Sequence, residues 1–175
     1  MALRIFYGDQ VKVFPIAVGE NIVWMKAPYR DRGYIVWCDP KRLKILWKYH
    51  CVEYQKISKM KYWTKLQREM VDKSMLGSSE QNPVPVADVS MTFLSRLQYR
   101  NPAHRKLQNF LEKWGLHHFT VKPVFSFVDG RHRSAWLIEN KADYVPLYVE
   151  SYENSWNLER FAGADICHID LAEIS

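Results

Sequence analysis

Val124-Phe125-Ser126-Phe127-Val128-Asp129-Gly130-Arg131-His132-Arg133-Ser134-Ala135 is the stretch on which the fold turns. Its apolar run, Val124 to Val128, extends a strand candidate that begins at Val121 and ends at a turn signal. Gly130 makes the turn. The residues after it, with Ala135 and Ile138 directed inward, predict a helix over 131–141. A glycine turn from strand into helix aims backbone N–H groups at one spot, and the helix dipole adds about half a positive charge there. Arg131, His132 and Arg133 stand in the first turn of that helix. Three basic side chains at a helix start are unfavourable unless an anion meets them. The stretch therefore predicts a phosphate site and points to nucleotide or nucleic acid.

The residue types suggest roles. The planar guanidinium of Arg133 suits bidentate bonding to phosphate oxygens. Arg131 would add charge or stabilise a leaving phosphate. His132 would hydrogen-bond phosphate or act as a general acid or base near neutral pH. Gly130 and Ser134 complete the phosphate-binding segment. Asp129 is the nearest carboxylate and has two open roles: helix cap, or ligand to a Mg²⁺ shared with nucleotide oxygens. Asp129, His132 and Arg133 form the candidate catalytic set. Glu139, two turns further on, reads as solvated.

Around this stretch, strand and helix signals alternate. Tyr144 to Val149 predicts a strand with Val145, Leu147 and Val149 on one face, and Pro146 suggests an edge or a terminal pairing position. Val84 to Thr92 contains another β-like stretch. Asn101 as N-cap, Pro102 at N1 and Gly115 at C′ bound a helix with Leu107, Phe110, Leu111 and Trp114 as its apolar stripe. The first half reads as β-rich: Val11 to Val18, Ile22 to Met25 and Tyr34 to Cys38 are short apolar runs. Asp39-Pro40-Lys41 reads as a turn, and Arg42 to Tyr49 alternates, predicting a hairpin strand. One face carries Leu43, Ile45, Trp47 and Tyr49. The other carries Arg42, Lys44 and Lys48, a DNA-binding candidate or an ordinary solvated face. Ser58 to Met75 predicts a helix with Trp63, Leu66 and Met70 as a buried stripe. Gly77 to Pro85 reads as a linker. The expected organisation is a basic, β-rich extension over 1–82, a mixed α+β core over 83–150, and an acidic segment of the same domain over 151–175.

The 175 residues allow one domain with a substantial core, and 47% hydrophobic against 25% charged residues is a globular balance. Residues 1–82 carry 15 Lys/Arg against 8 Asp/Glu, residues 83–150 carry 9 against 6, and residues 151–175 carry 1 against 5. A basic body fits a polyanionic partner, and fits solubilising charge equally well. Cys38, Cys51 and Cys167 lie far apart, with no CxxC pair or Cys/His zinc spacing, which fits a reduced, cytoplasmic protein. No apolar run approaches a membrane span, and the first residues lack a signal-peptide pattern.

The pattern D-G-x-H-R-x-x-A, followed about ten residues later by V-P-L, resembles the ParB/sulfiredoxin superfamily. Asp129, Gly130, His132, Arg133, Ala135, Val145 and Pro146 carry the match, which spans roughly 83–150. Val84-Pro85-Val86 through Val89 looks like that family's opening strand, and Asn101-Pro102 resembles its second segment. Joined to a basic first half, the core resembles the plasmid fertility inhibition factors, of the oncogenic suppression type. That resemblance implies a bacterial, cytoplasmic protein with ATPase activity and a metal-dependent DNase activity of low sequence specificity. It also implies interference with the type IV secretion coupling machinery. Two departures stand out. Sulfiredoxin has its catalytic cysteine, and chromosome-partitioning ParB a glutamate, where this chain has Arg131. Peroxiredoxin repair is thereby disfavoured, and any metal must be held differently.

Other clusters are weaker. His117-His118 reads as surface. Asp165, His168 and Asp170 could approach a metal, but alternate with packed residues. Arg96, Arg100 and His104 could meet nucleotide. Two classes of function stay open: a nucleotide-hydrolysing enzyme, or an inert DNA- or protein-binding module that blocks secretion by occupancy.

Overall fold

A computed structural model describes residues 4–6, 13–28, 33–51, 56–94 and 122–164. Among these residues a mixed α+β fold is built from two mixed sheets and four α-helices. The larger sheet takes β1 (Arg4–Phe6) and β4 (Tyr34–Cys38) from the first half of the chain. It takes β6 (Ala87–Leu94), β7 (Lys122–Phe127) and β8 (Val145–Val149) from the second. The order is β1-β4-β8-β6-β7, with β6 and β8 parallel and the other neighbours antiparallel. The smaller sheet joins β2 (Val13–Val18), β3 (Asn21–Lys26) and β5 (Val84–Pro85), with β3 and β5 parallel.

β8 shows why the sheet closes around it. Its V-P-L-Y-V run is buried at every position, as expected for an interior strand covered on both faces. Pro146 lies opposite Trp37 of β4, just before pairing with β6 begins at Leu147 and Ala87. Its missing N–H thus falls at the start of the strand, the terminal position its sequence allows. The register sets Val36, Leu147, Ala87, Val89 and Phe127 on one face. Trp37 and Tyr148 lie on the other, where Phe14 of β2 meets Trp37 at 5.0 Å between ring centroids.

The first face is covered by α1 (Pro40–His50) and α4 (Tyr152–Ala162). Here the structure corrects the expected hairpin over Arg42–Tyr49. Asp39 is the N-cap, its side chain accepting from the Arg42 backbone N–H at 2.7 Å, and Pro40 occupies the first turn. What reads as a turn, Asp39-Pro40-Lys41, is therefore a helix start. Leu43, Leu46 and Trp47 are buried at helical spacing, while Ile45 and Tyr49 face outward. The Trp47 ring lies 4.4 Å from that of Phe127, locking α1 to β7.

α2 (Lys65–Leu76) is shorter than the helix expected over 58–75. Thr64 and Gln67 form a capping box that fixes its start, after a single 3₁₀ turn at Met60–Tyr62. Trp63 is buried as expected, but Leu66 and Met70 are exposed, because α2 turns Met75 inward instead. α2 is tied to α3 (Arg131–Glu139) by the Trp136 indole N–H, which donates to Asp72 Oδ1 at 2.6 Å. The expected linker over 77–85 ends in β5, so it is only partly irregular. The helix expected over 101–115, with Arg96, Arg100, His104 and His117-His118, lies outside the described residues, as do Asp165, His168 and Asp170.

Candidate functional site

The expected strand forms as β7 but ends at Phe127, leaving Val128 outside it and exposed, the helix after it ends at Glu139 rather than 141, and the site lies at their junction. Gly130, not Asp129, is the N-cap of α3, in the left-handed conformation with φ of 77°. The αL turn is enforced by close packing. A Cβ on Gly130 would stand 2.5 Å from Ala87 Cα and 2.9 Å from Arg133 Nη2. Only glycine meets both demands. Asp129 is released from the capping role by this geometry. Its carboxylate accepts from Arg133 Nη2 at 3.1 Å, one helical turn away.

Asp129 through Arg133 line a cleft of about 310 Å³ together with Val128 and, from α2, Met70, Val71 and Ser74. Asp129 is the one carboxylate among these lining residues. Partial burial pushes its pKa up, but the Gly130 backbone N–H, the Arg133 guanidinium and Arg131 outweigh that and hold it below the ordinary carboxylate value. It is ionised at neutral pH. Burial, then the charges of Arg131 and Arg133, lower the pKa of His132, leaving the imidazole neutral at pH 7. His132 Nε2 and Arg133 Nε are buried atoms with no hydrogen-bond partner among the described residues. Ser134 is 1% exposed and sits behind the cleft lining, which ends at Arg133.

Trp63, read from the sequence as core in preference to a base-stacking platform, is buried and also touches the site. Its ring meets His132 edge-on at 4.9 Å and 72°, and its indole N–H is anchored on the Ile57 carbonyl at 2.8 Å. Replacing Trp63 by alanine is expected to raise the His132 pKa toward its ordinary value, read by NMR titration of the imidazole. An unchanged titration would show that Trp63 contributes nothing to that environment. The sign for stability follows from linkage. Below about pH 6.5 the unfolded chain protonates this histidine more readily than the folded one, so His132 lowers stability as pH falls.

The DNA-binding candidates lie on another surface. Lys44 and Lys48 project from the exposed side of α1 beside Lys41, with Ile45 and Tyr49. Lys44 Nζ pairs with Glu139 Oε1 at 3.1 Å, so Glu139 is tied to α1. Lys48 Nζ bonds the Tyr49 hydroxyl at 3.0 Å. Arg42 is turned toward the end of α4, its Nη1 donating to the Gly163 carbonyl at 2.9 Å. The three residues share one helix rather than one strand face. None of them lines the α3 cleft.

Residues 35–163 match the model of the plasmid fertility inhibition factor family, a span that includes both α1 and the α3 cleft. The chain belongs to this family. The match begins in β4 and ends just past α4, so the family region includes residues on both sides of the expected boundary at 82. The crystal structure of the Oncogenic Suppression Activity protein, a plasmid fertility inhibition factor studied as its gold(I) cyanide derivative, is similar in fold. That likeness has a TM-score of 0.59 at 17% identity and covers 94% of this chain and 77% of the other. Comparison with curated proteins gives no match. For this fertility inhibition factor, no helix among the described residues is long and apolar enough to cross a membrane.

Proposed function

We propose that this fertility inhibition factor binds and hydrolyses nucleotide at the α3 cleft and cleaves DNA. By these activities it would block DNA transfer through a type IV secretion system. The observation that carries the reading is the first turn of α3. Arg131, His132 and Arg133 line a cleft there, after a glycine N-cap at which an added Cβ would meet Ala87 and Arg133, and His132 Nε2 and Arg133 Nε have no hydrogen-bond partner among the described residues. Phosphate oxygens entering the cleft would be met by the guanidinium groups of Arg131 and Arg133 at the N-terminus of α3. The polyphosphate of ATP fits this cradle. Arg133 would hold it, Arg131 would neutralise charge that develops during transfer, and neutral His132 can accept a proton from an attacking water. Asp129, the one carboxylate of the lining, would be the residue to hold Mg²⁺ together with the nucleotide, and the metal would supply charge neutralisation at the phosphate.

The proposal includes a ParB/sulfiredoxin-like core over 83–150 with the 1–82 and 151–175 segments packed on it. The strand, glycine turn and helix at 122–139, followed by β8, support that core. DNA would meet the Lys41, Lys44 and Lys48 face of α1 through its phosphates, with little choice of sequence. The coupling machinery of the secretion system would be the protein partner, and the setting the bacterial cytoplasm.

A second reading, an inert module acting by occupancy, is favoured by the Asp129–Arg133 ion pair, which ties up the cleft's carboxylate. Phosphate release from ATP by the pure full chain separates the two. Arg133→Ala is expected to weaken nucleotide binding by about 1.5–3 kcal/mol, the range for a charge-assisted hydrogen bond. Asp129→Asn is expected to keep the fold and lose metal-dependent hydrolysis. Undiminished hydrolysis in Asp129→Asn would remove that residue from the mechanism, and no hydrolysis in the unaltered chain would leave the occupancy reading.

A further inference from the structure

The cleft at α3 has a lining of two chemical kinds. Arg131 and Arg133, one of them paired with Asp129, give the cleft a net cationic lining, while Met70 and Val71 of α2, with Val128, give it apolar side chains. Met70 and Val128 are each 64% exposed. A single exposed apolar side chain is ordinary on a protein surface. Two of them in the lining of one cleft, together with cationic groups, form a place for a ligand that is itself divided.

Inorganic polyphosphate could satisfy only the cationic groups. A nucleoside phosphate satisfies both, with phosphates on α3 and the flat face of its base on Met70, Val71 and Val128. Among the described residues, few polar groups are available to read a base edge. The backbone N–H groups of Val128 and Asp129 are both spent on the Asp88 carbonyl, at 2.8 and 3.2 Å. Ser74 supplies the one neutral hydroxyl among the lining residues. Discrimination between bases depends on hydrogen bonds to their edges, whereas an apolar wall accepts any π-face.

We propose that Met70, Val71 and Val128 form the base-binding wall of this cleft, and that it accepts nucleoside triphosphates with little preference among bases. The inference rests on the phosphate reading of α3 and adds to it the residues that set ligand class. α2 becomes part of the site, and the outward turn of Met70, away from the core its helical spacing suggests, acquires a role.

Calorimetric titration of the full chain with ATP, GTP, CTP, UTP and inorganic tripolyphosphate, in EDTA to exclude metal, tests it. The four nucleotides are expected to bind within about fivefold of one another, and each about tenfold or more tighter than tripolyphosphate, from burial of apolar surface. The double variant Met70→Gln, Val128→Ser changes two exposed positions and should fold normally. It is expected to lose most of the nucleotide advantage and keep its affinity for tripolyphosphate. Equal binding of nucleotides and tripolyphosphate by the unaltered chain would overturn the wall while leaving the phosphate site standing. So would a double variant with the nucleotide advantage intact. A strong preference for one base would overturn the claim of low selectivity. Failure of every one of these anions to bind would overturn the phosphate reading, and this inference with it.

Discussion

Replacing Gly130 by alanine is expected to lower the stability of the fold by about 2–4 kcal/mol, combining the left-handed Cβ penalty with the strain of overpacking. The new methyl group would collide with the backbone of β6 at Ala87 and with the Arg133 guanidinium. The guanidinium, at the end of a flexible side chain, can move aside, but the collision with Ala87 is with backbone, in a strand paired with β8. Thermal unfolding should show the loss as a fall of about 2–4 °C for each kcal/mol in a domain of this size. Gly19→Ala is the control. Gly19 also has positive φ, 59°, but an added Cβ there meets nothing within 4 Å. It should cost only the conformational share, about 1 kcal/mol. Equal effects at the two positions would mean that close approach to β6 is not what requires glycine at the site.

Trp47→Ala is expected to cost about 3–5 kcal/mol, the range for removing a large buried aromatic. Trp47 is 0% exposed and its ring lies against Phe127, on the strand that leads into the site. Ile45, two residues earlier, is 58% exposed. Ile45→Ala should stay within about 0.5 kcal/mol of the unaltered chain, as surface changes usually do. The contrast discriminates between two structures for this segment. A strand would place Ile45 and Trp47 on one face and make both substitutions costly; a helix separates them by about 200° and makes one costly. Chemical denaturation of the two variants measures the difference. Similar losses at both positions would argue against the helix.

Much of the candidate site was legible in the sequence. A strand through Phe127, Gly130 as the turn and Arg131, His132 and Arg133 as the start of a helix could be read because each signal is local, whereas Val128, read as part of a buried strand, lies exposed beyond its end. An apolar run, a residue free to adopt positive φ and a change of periodicity lie within a dozen positions. The same locality explains the failure at Arg42–Tyr49. Alternation of apolar and basic residues there fits a strand, while Asp39-Pro40 fits both a turn and a helix start. Burial of Leu43, Leu46 and Trp47 against the sheet selects the helix. That selection depends on partners far away in the chain.

What the sequence determined by itself was the glycine turn and the basic first turn of the helix that follows it, since glycine stereochemistry and the charges of three consecutive residues do not depend on distant neighbours. Only the tertiary structure decided that Asp129 pairs with Arg133 instead of capping α3. The reason is that Ala87 presses on Gly130 and the αL conformation there moves the cap one residue onward. Tertiary structure likewise placed Trp63 against His132 and Met70 on the cleft wall. Both come from segments more than fifty residues before α3, and their placement was settled by how α2 packs on α3 through Asp72 and Trp136. Periodicity says which residues share a face; which face is buried is decided by the surface that another element presents to it.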